Sequence, residues 1–402
     1  MKKILIIPSW YPTSHNPSLG VFFRLQAQLL RNVGNDVKVL LPVVKKQSKK
    51  EFIKSGLKKS ITINSDYCLQ EPEAIFLQFN VNALSKKLDL TKEIVEDLIP
   101  DLISMVSKWN WKPDIIHAHD CFPAGFFAQA LSKHFKCPWV LTQHTPLVAT
   151  TLNENSLNGY RFLTANATLF SVVSSYERDL YIRNQFLHDA FVLGNLLDET
   201  SFYPADVGSS DNNSFTIINV GSLSARKDYP TLLLSLKIFK ERYAHFFKAK
   251  LVMLTSFTDG ISLEDIKEMV SDMNLTDNIE FVFDISDPDI MRKHYQTSSV
   301  MVSTSLYETF GVAVAEAIAS GIPVIATDNG GVRDIVDEGV NGFVVPLKNA
   351  EAIADKLELL YNSSNNLNKE KLHNSVVSKF GSRAFEIRLN TLYNDAVNLY
   401  NN

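Results

Sequence analysis

Two glutamates, Glu308 and Glu316, flank a glycine where a predicted strand and loop lead into an apolar helix. Gly311 would let a ligand approach the backbone closely, and the unpaired N–H groups of a first helical turn attract an anion such as a diphosphate. Glu316 follows in the second turn among Ala and Val, where a lone buried carboxylate needs partners. Vicinal ribose hydroxyls would serve, because an ionised carboxylate accepts from both. The alternative is that Glu316 lies on a solvent face and Glu308 is an ordinary loop acid.

Two adjacent cations follow another predicted strand, in Val220-Gly221-Ser222-Leu223-Ser224-Ala225-Arg226-Lys227. Loss of a nucleoside diphosphate builds negative charge on its β-phosphate, and preorganised cations lower that barrier. Arg226 and Lys227 are therefore candidates for stabilising a leaving group, although adjacent surface cations are usually only solvated.

Histidines end two strands of the first half, in Asp114-Ile115-Ile116-His117-Ala118-His119 and in Thr142-Gln143-His144-Thr145. At such positions we expect His119 and His144 to be exposed to a cleft, although each could equally be a hydrogen-bonded structural residue.

Asp287-Pro288-Asp289 could be mistaken for a metal-binding Asp-x-Asp motif. Asp287 fits better as the cap of the following helix, with Pro288 at its first position. No other clustered acids or histidines suggest a metal, so we expect none to be required.

Short apolar runs alternate with longer amphipathic stretches, which is typical of parallel strands covered by helices on both faces. The elements predicted in the first half are strands Lys3–Ile7, Asp36–Leu41, Ile115–His117, Trp139–Thr142 and Leu169–Val173 with helices Phe22–Asn32 and Ala124–Phe135. Those of the second half are strands Phe215–Val220, Leu251–Leu254, Ile279–Phe283, Val300–Ser303 and Pro323–Ala326 with helices Tyr229–Arg242, Leu263–Met273, Asp289–Gln296 and Gly311–Ala319.

This alternation indicates an α/β chain of two doubly wound halves in tandem with a cleft between them. In sheets of this kind ligands bind beyond the carboxyl ends of the strands. The polar stretch Asp206–Ser214 reads as the linker. We expect domains at 1–205 and 206–382, followed by a helical stretch, 383–402, that could pack back on the first.

The composition of the chain limits the classes of protein to which it can belong. The chain has 402 residues, 45% of them hydrophobic, which is enough for two packed domains. A net charge of -4 provides no global basic field, so nucleic acid is not an expected partner. Three cysteines at spacings that fit no zinc or disulfide pattern predict free thiols in a reducing compartment. Pro8 ends the first apolar run too early for a signal peptide, and no run reaches the roughly 20 residues that span a bilayer. We expect a cytoplasmic protein.

One long string carries a family resemblance. Ser305-Leu306-Tyr307-Glu308-Thr309-Phe310-Gly311, Glu316 through Thr327, Gly330-Gly331 and Gly339 through Val345 together resemble the signature of the family-4 retaining glycosyltransferases of the GT-B fold, also called glycosyl transferases group 1. The resemblance implies two Rossmann-like domains and transfer of a sugar from a nucleoside-diphosphate sugar, UDP- or GDP-linked, to a hydroxyl, as in hexosyltransferases of polysaccharide or glycolipid assembly. It implies no cofactor besides that substrate, and a glycan or lipid-linked saccharide as acceptor.

The resemblance also assigns roles. It implies that Glu316 binds the ribose, that Glu308 contacts the donor sugar, and that Thr309 and the backbone amides of Phe310–Val312, with Gly311 and Val312 among them, hold sugar and phosphate. Lys227 matches a family lysine. Ser222 stands where many members have an arginine, which leaves Arg226 as its substitute.

In the first half the resemblance extends to Pro8-Ser9-Trp10-Tyr11-Pro12 with Gly20-Val21-Phe22, whose glycine would let the backbone approach the donor phosphates. It favours His119 as the residue near the transferred sugar, with His144 as the weaker candidate. Two departures bear on the donor: Thr255–Asp259 replaces a glycine-rich turn, and Asp284, a candidate donor-binding residue, replaces a glycine.

A basic segment, Lys45–Lys59, carries seven lysines with Phe52, Ile53 and Leu57 among them. Such a segment can adsorb to an anionic bilayer, at roughly 1 kcal/mol per cation, or can be a solvated loop. We therefore expect a candidate peripheral contact with the inner face of the cell membrane.

Two other functions stay open at this point. A nucleotide-sugar 2-epimerase can share the fold and would convert a donor with no acceptor present. A non-catalytic nucleotide-sugar sensor or scaffold would bind a donor without turnover.

Overall fold

The computed structural model describes residues 1–13, 19–47, 60–63, 74–82, 92–147, 154–205, 215–242, 247–283, 285–363 and 368–402. The chain forms two compact units, Met1–Gly194 with Glu386–Asn402, and Asn195–Phe385. The predicted linker, Asp206–Ser214, lies outside the described part of the chain.

The division between the units follows Gly194, whereas the sequence placed it after residue 205. Residues 195–205 pack on the second unit, because the Leu197 N–H donates to Phe380 O at 2.9 Å and Arg292 Nη1 donates to Ser201 O at 2.8 Å. Backbone groups of this segment thus attach it to the second unit, and its side chains Leu196, Leu197 and Phe202 are buried.

A sheet of eight described strands forms the first unit, in the order β3-β4-β2-β1-β5-β6-β7-β8 and parallel except for the β3–β4 pair. The strands are β1 (Lys3–Pro8), β2 (Asp36–Gln47), β3 (Ser60–Ile63), β4 (Ala74–Asn82), β5 (Ile115–His119), β6 (Trp139–Gln143), β7 (Leu169–Val172) and β8 (Phe191–Val192). The helices are α1 (Val21–Asn32), α2 (Lys92–Val106), α3 (Phe126–Phe135), α4 (Glu154–Asn166) and α5 (Ser175–Arg183).

Six described strands, all parallel, form the sheet of the second unit in the order β11-β10-β9-β12-β13-β14. They are β9 (Phe215–Ser224), β10 (Phe247–Asp259), β11 (Ile279–Phe283), β12 (Val300–Ser303), β13 (Val324–Thr327) and β14 (Gly342–Val345). The helices are α6 (Tyr229–Arg242), α7 (Leu263–Asp272), α8 (Pro288–Gln296), α9 (Val312–Ala319), α10 (Ala350–Ser363), α11 (Lys369–Phe380) and α12 (Ser382–Asn401), whose residues from Glu386 onward belong to the first unit.

Both sheets have the doubly wound strand order that the alternating pattern predicted, and the predicted α/β class is confirmed. The strands are buried on both faces, so continuous apolar runs such as Ile4–Ile7, each fully buried, form them. Strand order reverses between β1 and β5 in the first sheet and between β9 and β12 in the second. Loops at the carboxyl ends of these strand pairs flank the crevice where such sheets bind ligands.

Several element bounds differ from the sequence predictions. Strands β2, β9 and β10 run further, to Gln47, Ser224 and Asp259, and β5 includes His119. No described helix is long and apolar enough to cross a bilayer.

A hydrogen-bonded chain of buried polar groups attaches α12 to the first sheet. Tyr393 Oη and Gln26 Nε2 lie 2.8 and 3.0 Å from His117 Nδ1, and His117 Nε2 lies 2.7 Å from Thr142 Oγ1. Burial, and then the charge of His144, lower the pKa of His117 to about 3, so the ring is neutral. Because an amide nitrogen can only donate, Nδ1 is the acceptor and Nε2 carries the proton.

Tyr393→Phe should therefore lower the free energy of unfolding by about 0.5 to 1.5 kcal/mol, because His117 Nδ1 loses one of its two buried donors and keeps the one from Gln26 Nε2. Urea denaturation followed by circular dichroism measures the change. Tyr400→Phe, on the same helix at 44% exposure, is the matched control and should leave the midpoint unchanged. Equal midpoints for the two variants would contradict the assignment.

Candidate active site

The two loops that carry the candidate residues of the second unit are bound to each other. Arg226 and Lys227 lie in a short 3-10 turn directly after β9, with Ser224 Oγ accepting from the Arg226 N–H at 3.3 Å. The Leu306 N–H donates to Arg226 O at 2.8 Å, and Thr304 Oγ1 donates to Lys227 O at 2.7 Å. Since β9 and β12 are neighbours at the point of strand reversal, these contacts place both loops at one crevice.

Glu308 joins the two cations in an ion-pair network. Its Oε1 lies 2.7 Å from Lys227 Nζ, and its Oε2 lies 3.1 Å from Arg226 Nη1. Ser305 Oγ donates to Oε1 at 2.9 Å, and Arg226 Nη1 also donates to Tyr307 O at 2.7 Å. Three residues that the sequence selected separately thus lie in contact.

This network controls the charge of Glu308. Burial alone would raise the pKa of its carboxyl group, but the charges of Lys227 and Arg226 and the hydrogen bonds from Lys227 and Ser305 outweigh it and lower the pKa to about 2. Glu308 is therefore ionised at neutral pH. Its backbone is held as well, because its N–H donates to Asn329 O at 3.1 Å and its carbonyl accepts from the Gly331 N–H at 3.0 Å.

Gly221 makes room for the lysine. A Cβ at this strand position would lie 3.0 Å from Lys227 Cδ, which is tighter than ordinary van der Waals contact. Sequence reasoning assigned no role to Gly221 or Ser305. An isolated glycine within a strand was the available signal for a close approach.

Gly311 is the N-cap of α9 with φ 107° and ψ 54°, a left-handed conformation that favours glycine. The Val314 and Ala315 N–H groups donate to Gly311 O at 3.0 and 3.1 Å, so the N–H groups at the very start of α9, those of Val312 and Ala313, are the ones suited to an anion. Phe310 is buried with its ring edge-on to Phe380 at 4.9 Å, Thr309 is half-buried and Val312 is exposed. The expected amide-rich turn at Phe310–Val312 is present; its contacts with a ligand stay a prediction.

Glu316 lies in the second turn of α9, half-buried, and its Oε2 accepts from Tyr295 Oη at 3.2 Å. Burial raises the pKa of this carboxyl group to about 8, the Tyr295 hydrogen bond opposes the shift, and the charge of Asp198 adds to it. At neutral pH the two glutamates of the predicted pair thus differ in charge: Glu308 is ionised, and Glu316 is mostly protonated. The sequence did not identify Tyr295 as the partner.

His119 contradicts the expectation of an exposed histidine, because it is fully buried. The ring of Phe23 on α1 covers it with ring centroids 4.6 Å apart, and its Nδ1 lies 3.0 Å from His144 Nε2. Burial, and then the charges of His117 and His144, lower its pKa well below the usual value. His119 is neutral, and its Nε2 is buried with no hydrogen-bond partner among the described residues.

Gly20 is the N-cap of α1 in the left-handed region, with φ 72° and ψ 27°, as an anion-binding turn before a helix requires. A Cβ there would also lie 2.8 Å from Trp10 Cδ1. A phosphate contact at Gly20 stays a prediction.

Asp120, which sequence reasoning missed, follows His119 directly. It is buried with φ 74°, a strained conformation for a residue other than glycine, and strain of this kind clusters at functional sites. Its carboxylate accepts from the Cys121 N–H at 3.0 Å and from the Thr145 hydroxyl. Burial raises its pKa to about 6 against these hydrogen bonds.

Two predicted features fall wholly or largely outside the described part of the chain. Asp284 is one of them, and the segment Lys45–Lys59 is the other, since residues 48–59 and the side chains of Lys45 and Lys46 are not described. Membrane contact therefore stays a prediction.

The helix-cap prediction for Asp287 is confirmed, because its Oδ1 accepts from the Asp289 N–H at 2.8 Å and Pro288 opens α8. Within the described residues, no group of three His, Cys, Asp or Glu side chains could hold a metal ion. Whether a metal is needed stays a prediction.

Two family profiles match the chain. "Glycosyl transferases group 1" matches residues 205–374 and "Glycosyl transferase 4-like domain" matches residues 71–193. The predicted family is confirmed.

Two relatives and one solved structure illustrate the range of similar proteins. The alpha-monoglucosyldiacylglycerol synthase of Streptococcus pneumoniae is 22% identical over 93% of this chain and 86% of its own. The capsular polysaccharide biosynthesis glycosyltransferase CapM of Staphylococcus aureus is 30% identical over 46% of this chain and 47% of its own. Matches to three other relatives span 65%, 52% and 66% of those proteins' lengths. The Anabaena protein HepE, solved in complex with UDP and glucose, superimposes with a TM-score of 0.71 over 98% of this chain and 100% of its own at 16% identity, which shows a shared fold.

The ion-pair network predicts an unusual effect of removing Glu308. Glu308→Gln keeps the size of the side chain but frees Lys227 and Arg226 for an incoming anion, so UDP or GDP should bind up to about tenfold more tightly. Isothermal titration calorimetry at low salt measures the affinity. Glu268→Gln, which removes an exposed acid from α7, controls for net charge and should match the unmodified protein. Unchanged or weaker nucleotide binding by Glu308→Gln would argue that Glu308 does not compete with the ligand.

Proposed function

The chain belongs to the glycosyl transferases group 1, the family-4 glycosyltransferases of the GT-B fold, and from that membership we propose the reaction that its site supports. The protein transfers a sugar from a nucleoside-diphosphate sugar to a hydroxyl of a glycan or lipid-linked saccharide, with retention of the anomeric configuration. The observation that carries this proposal is the contact of Glu308 with Lys227 and Arg226 at the point of strand reversal.

The two cations suit the diphosphate. Lys227 Nζ and Arg226 Nη1 both approach Glu308, so their positive charges converge on one small volume that already binds an anion. A diphosphate that takes this place meets preorganised charge, and the charge that develops on the leaving β-phosphate is stabilised without reorganisation of the protein. Since the cations supply this charge, the proposed reaction needs no metal.

The charge state of Glu308 fits the retaining transfer that the family resemblance implies, because it argues against Glu308 as the base of an inverting transfer. An inverting transfer needs a general base with a pKa near the working pH, and a carboxylate with a pKa of about 2 that is bound to two cations is a poor one. In the proposed reaction the departing phosphate takes the proton of the acceptor hydroxyl, and Glu308 orients the donor sugar. No pair of carboxylates of the glycosidase kind is required.

Glu316 suits the ribose of the donor. With a pKa of about 8 it is mostly protonated at neutral pH in the free protein. Two ribose hydroxyls that donate to the carboxylate favour its ionised form. Donor binding at neutral pH therefore releases a proton from Glu316.

Two relatives bear on the acceptor. One is named for the synthesis of a glycosylated diacylglycerol and the other for capsular polysaccharide biosynthesis, which supports an acceptor used in glycolipid or polysaccharide assembly. An anionic membrane surface reached through Lys45–Lys59 would bring the protein to such an acceptor.

Donor identity and reaction type can be tested together. A thermal-shift screen of UDP-, GDP- and ADP-sugars should show stabilisation by one nucleotide series, and that donor should release its nucleoside diphosphate when saccharide acceptors are added, with EDTA present. Proton NMR of the product should show the anomeric configuration of the donor. A donor converted to its epimer with no acceptor present would favour an epimerase, and binding without turnover on any acceptor would favour a sensor.

Within that assay, the two glutamates should differ. Glu316→Ala should raise the donor KM by about tenfold or more, because hydrogen bonds to a charged group are lost in both ground and transition states. Glu308→Ala should mainly lower kcat. Unaltered donor affinity in Glu316→Ala would contradict the ribose assignment.

The raised pKa of Glu316 predicts the pH dependence of donor affinity. Because the ionised carboxylate binds the ribose, affinity for a nucleotide sugar should rise by up to about tenfold per pH unit toward the pKa of about 8 and then level off. Calorimetry across this range measures both the affinity and the released proton. Glu316→Gln should abolish the slope; a slope of opposite sign in the unmodified protein would mean that the protonated acid binds the ligand.

A further inference from the structure

A buried tyrosine hydroxyl contacts the carboxylate assigned to the ribose. We infer that Tyr295 is a positioning residue for ribose recognition, which holds the Glu316 carboxylate in the orientation and the charge state that ribose hydroxyls need. The inference rests on the proposed donor site and adds to it a residue to which neither the sequence motifs nor the family resemblance gave a role.

The contact leaves one carboxylate oxygen for a ligand. Tyr295 Oη donates to Glu316 Oε2 at 3.2 Å, and within the described residues it is the one hydrogen-bond donor to this carboxylate. No described residue donates to Oε1. Both lone pairs of Oε1 can therefore accept hydrogen bonds from a ligand, whereas one lone pair of Oε2 already accepts from Tyr295. A carboxylate held by one oxygen presents the other in a fixed direction.

The hydroxyl itself has little freedom to move. Tyr295 is fully buried in the last turn of α8, and the ring of Phe202 packs on it with centroids 6.1 Å apart. Helix α8 is tied to residues 201–203 on both sides of Tyr295, since Arg292 Nη1 donates to Ser201 O at 2.8 Å and Gln296 Nε2 donates to Tyr203 O at 2.6 Å. The segment 195–205 therefore holds in place the helix that carries Tyr295.

The hydroxyl of Tyr295 affects the pKa of Glu316, because the other influences on this carboxyl group raise it. Tyr295 faces it from α8, and Asp198 acts on it from the segment before β9. Burial raises the pKa of Tyr295 well above its usual range, so the phenol stays protonated and always donates. Its hydrogen bond favours ionised Glu316, whereas burial and the charge of Asp198 oppose ionisation. Without the hydroxyl, only the two opposing effects remain.

Tyr295 also fills the core of the second unit, and a purely structural role would weaken all ligands equally. The readout that separates the two roles is the preference for ribose, measured as the ratio of affinities for UDP or GDP and for the matching 2′,3′-dideoxynucleoside diphosphate. A positioning role lowers this ratio, whereas general damage to the fold leaves it unchanged.

The experiment compares Tyr295→Phe with Glu316→Ala, with the double variant and with Tyr229→Phe by calorimetry at one pH. Tyr229 is the matched control, because it is a buried tyrosine of the same unit whose hydroxyl donates to Ser222 O at 3.0 Å instead of to Glu316. Tyr295→Phe should lower the ribose preference by about tenfold, Glu316→Ala should abolish it, and the double variant should be no worse than Glu316→Ala. Tyr229→Phe should keep the unmodified ratio.

A second readout is the pH at which nucleotide-sugar affinity levels off, which should move upward in Tyr295→Phe because ionised Glu316 has lost its donor. An unmodified ribose preference together with an unmodified pH profile in Tyr295→Phe would overturn the inference. If Tyr295→Phe behaves like the unmodified protein while Glu316→Ala loses the preference for ribose, the donor site stands and only the role of Tyr295 is removed. If the unmodified protein itself shows no preference for ribose, the proposed donor site fails first.

Discussion

The ion-pair network of Glu308 with Lys227 and Arg226 is the interaction on which the donor side of this protein depends. Lys227 is only 15% exposed, and a cation so placed needs an anion, because an uncompensated charge in such a setting destabilises strongly. Lys227 and Glu308 are 81 positions apart in the chain, and they meet because β9 and β12 are adjacent parallel strands at the point where the strand order reverses. Strand order, rather than any local motif, therefore creates the contact, and the backbone hydrogen bonds between the two loops keep it in register.

The two glutamates differ in charge because their environments differ, although the residue type is the same. Eight positions separate them, yet two cations lower the pKa of Glu308 to about 2, and burial near Asp198 raises that of Glu316 to about 8. Carboxyl groups whose environments push their pKa values apart serve different tasks. Glu308 is a permanent anion suited to hold cations and to accept from sugar hydroxyls. In the proposed donor complex, Glu316 gains its charge when the ribose supplies hydrogen bonds, so the binding free energy is coupled to the protonation of Glu316 and not to that of Glu308.

Much of this architecture could be read from the sequence because its causes are local or periodic. Apolar runs predicted the buried strands, Asp287-Pro288 predicted a helix cap, and Gly311 predicted the start of α9. What could not be read depends on contacts distant in the chain. His119 was expected to be exposed, but the packing of Phe23 over the end of β5 buries it, and Ser305 and Tyr295 acquire roles only through side chains they meet in the fold. Residues 195–205 were assigned to the first domain because they precede the polar stretch Asp206–Ser214, and only their hydrogen bonds show that they belong to the second unit.

A site that neutralises its own cations has consequences for what it binds. A ligand that offers only phosphate charge must displace Glu308 from Lys227 and Arg226, so its gain is offset by the ion pairs that it breaks. In the proposed reaction a nucleotide sugar compensates for this loss, since its sugar hydroxyls can donate to the displaced Glu308 and its ribose can ionise Glu316. Selection for the complete donor over free phosphate or free nucleotide then arises from competition inside the site, and not from a larger number of contacts. The same competition favours departure of the nucleoside diphosphate once the sugar has been transferred, because Glu308 can return to its cations.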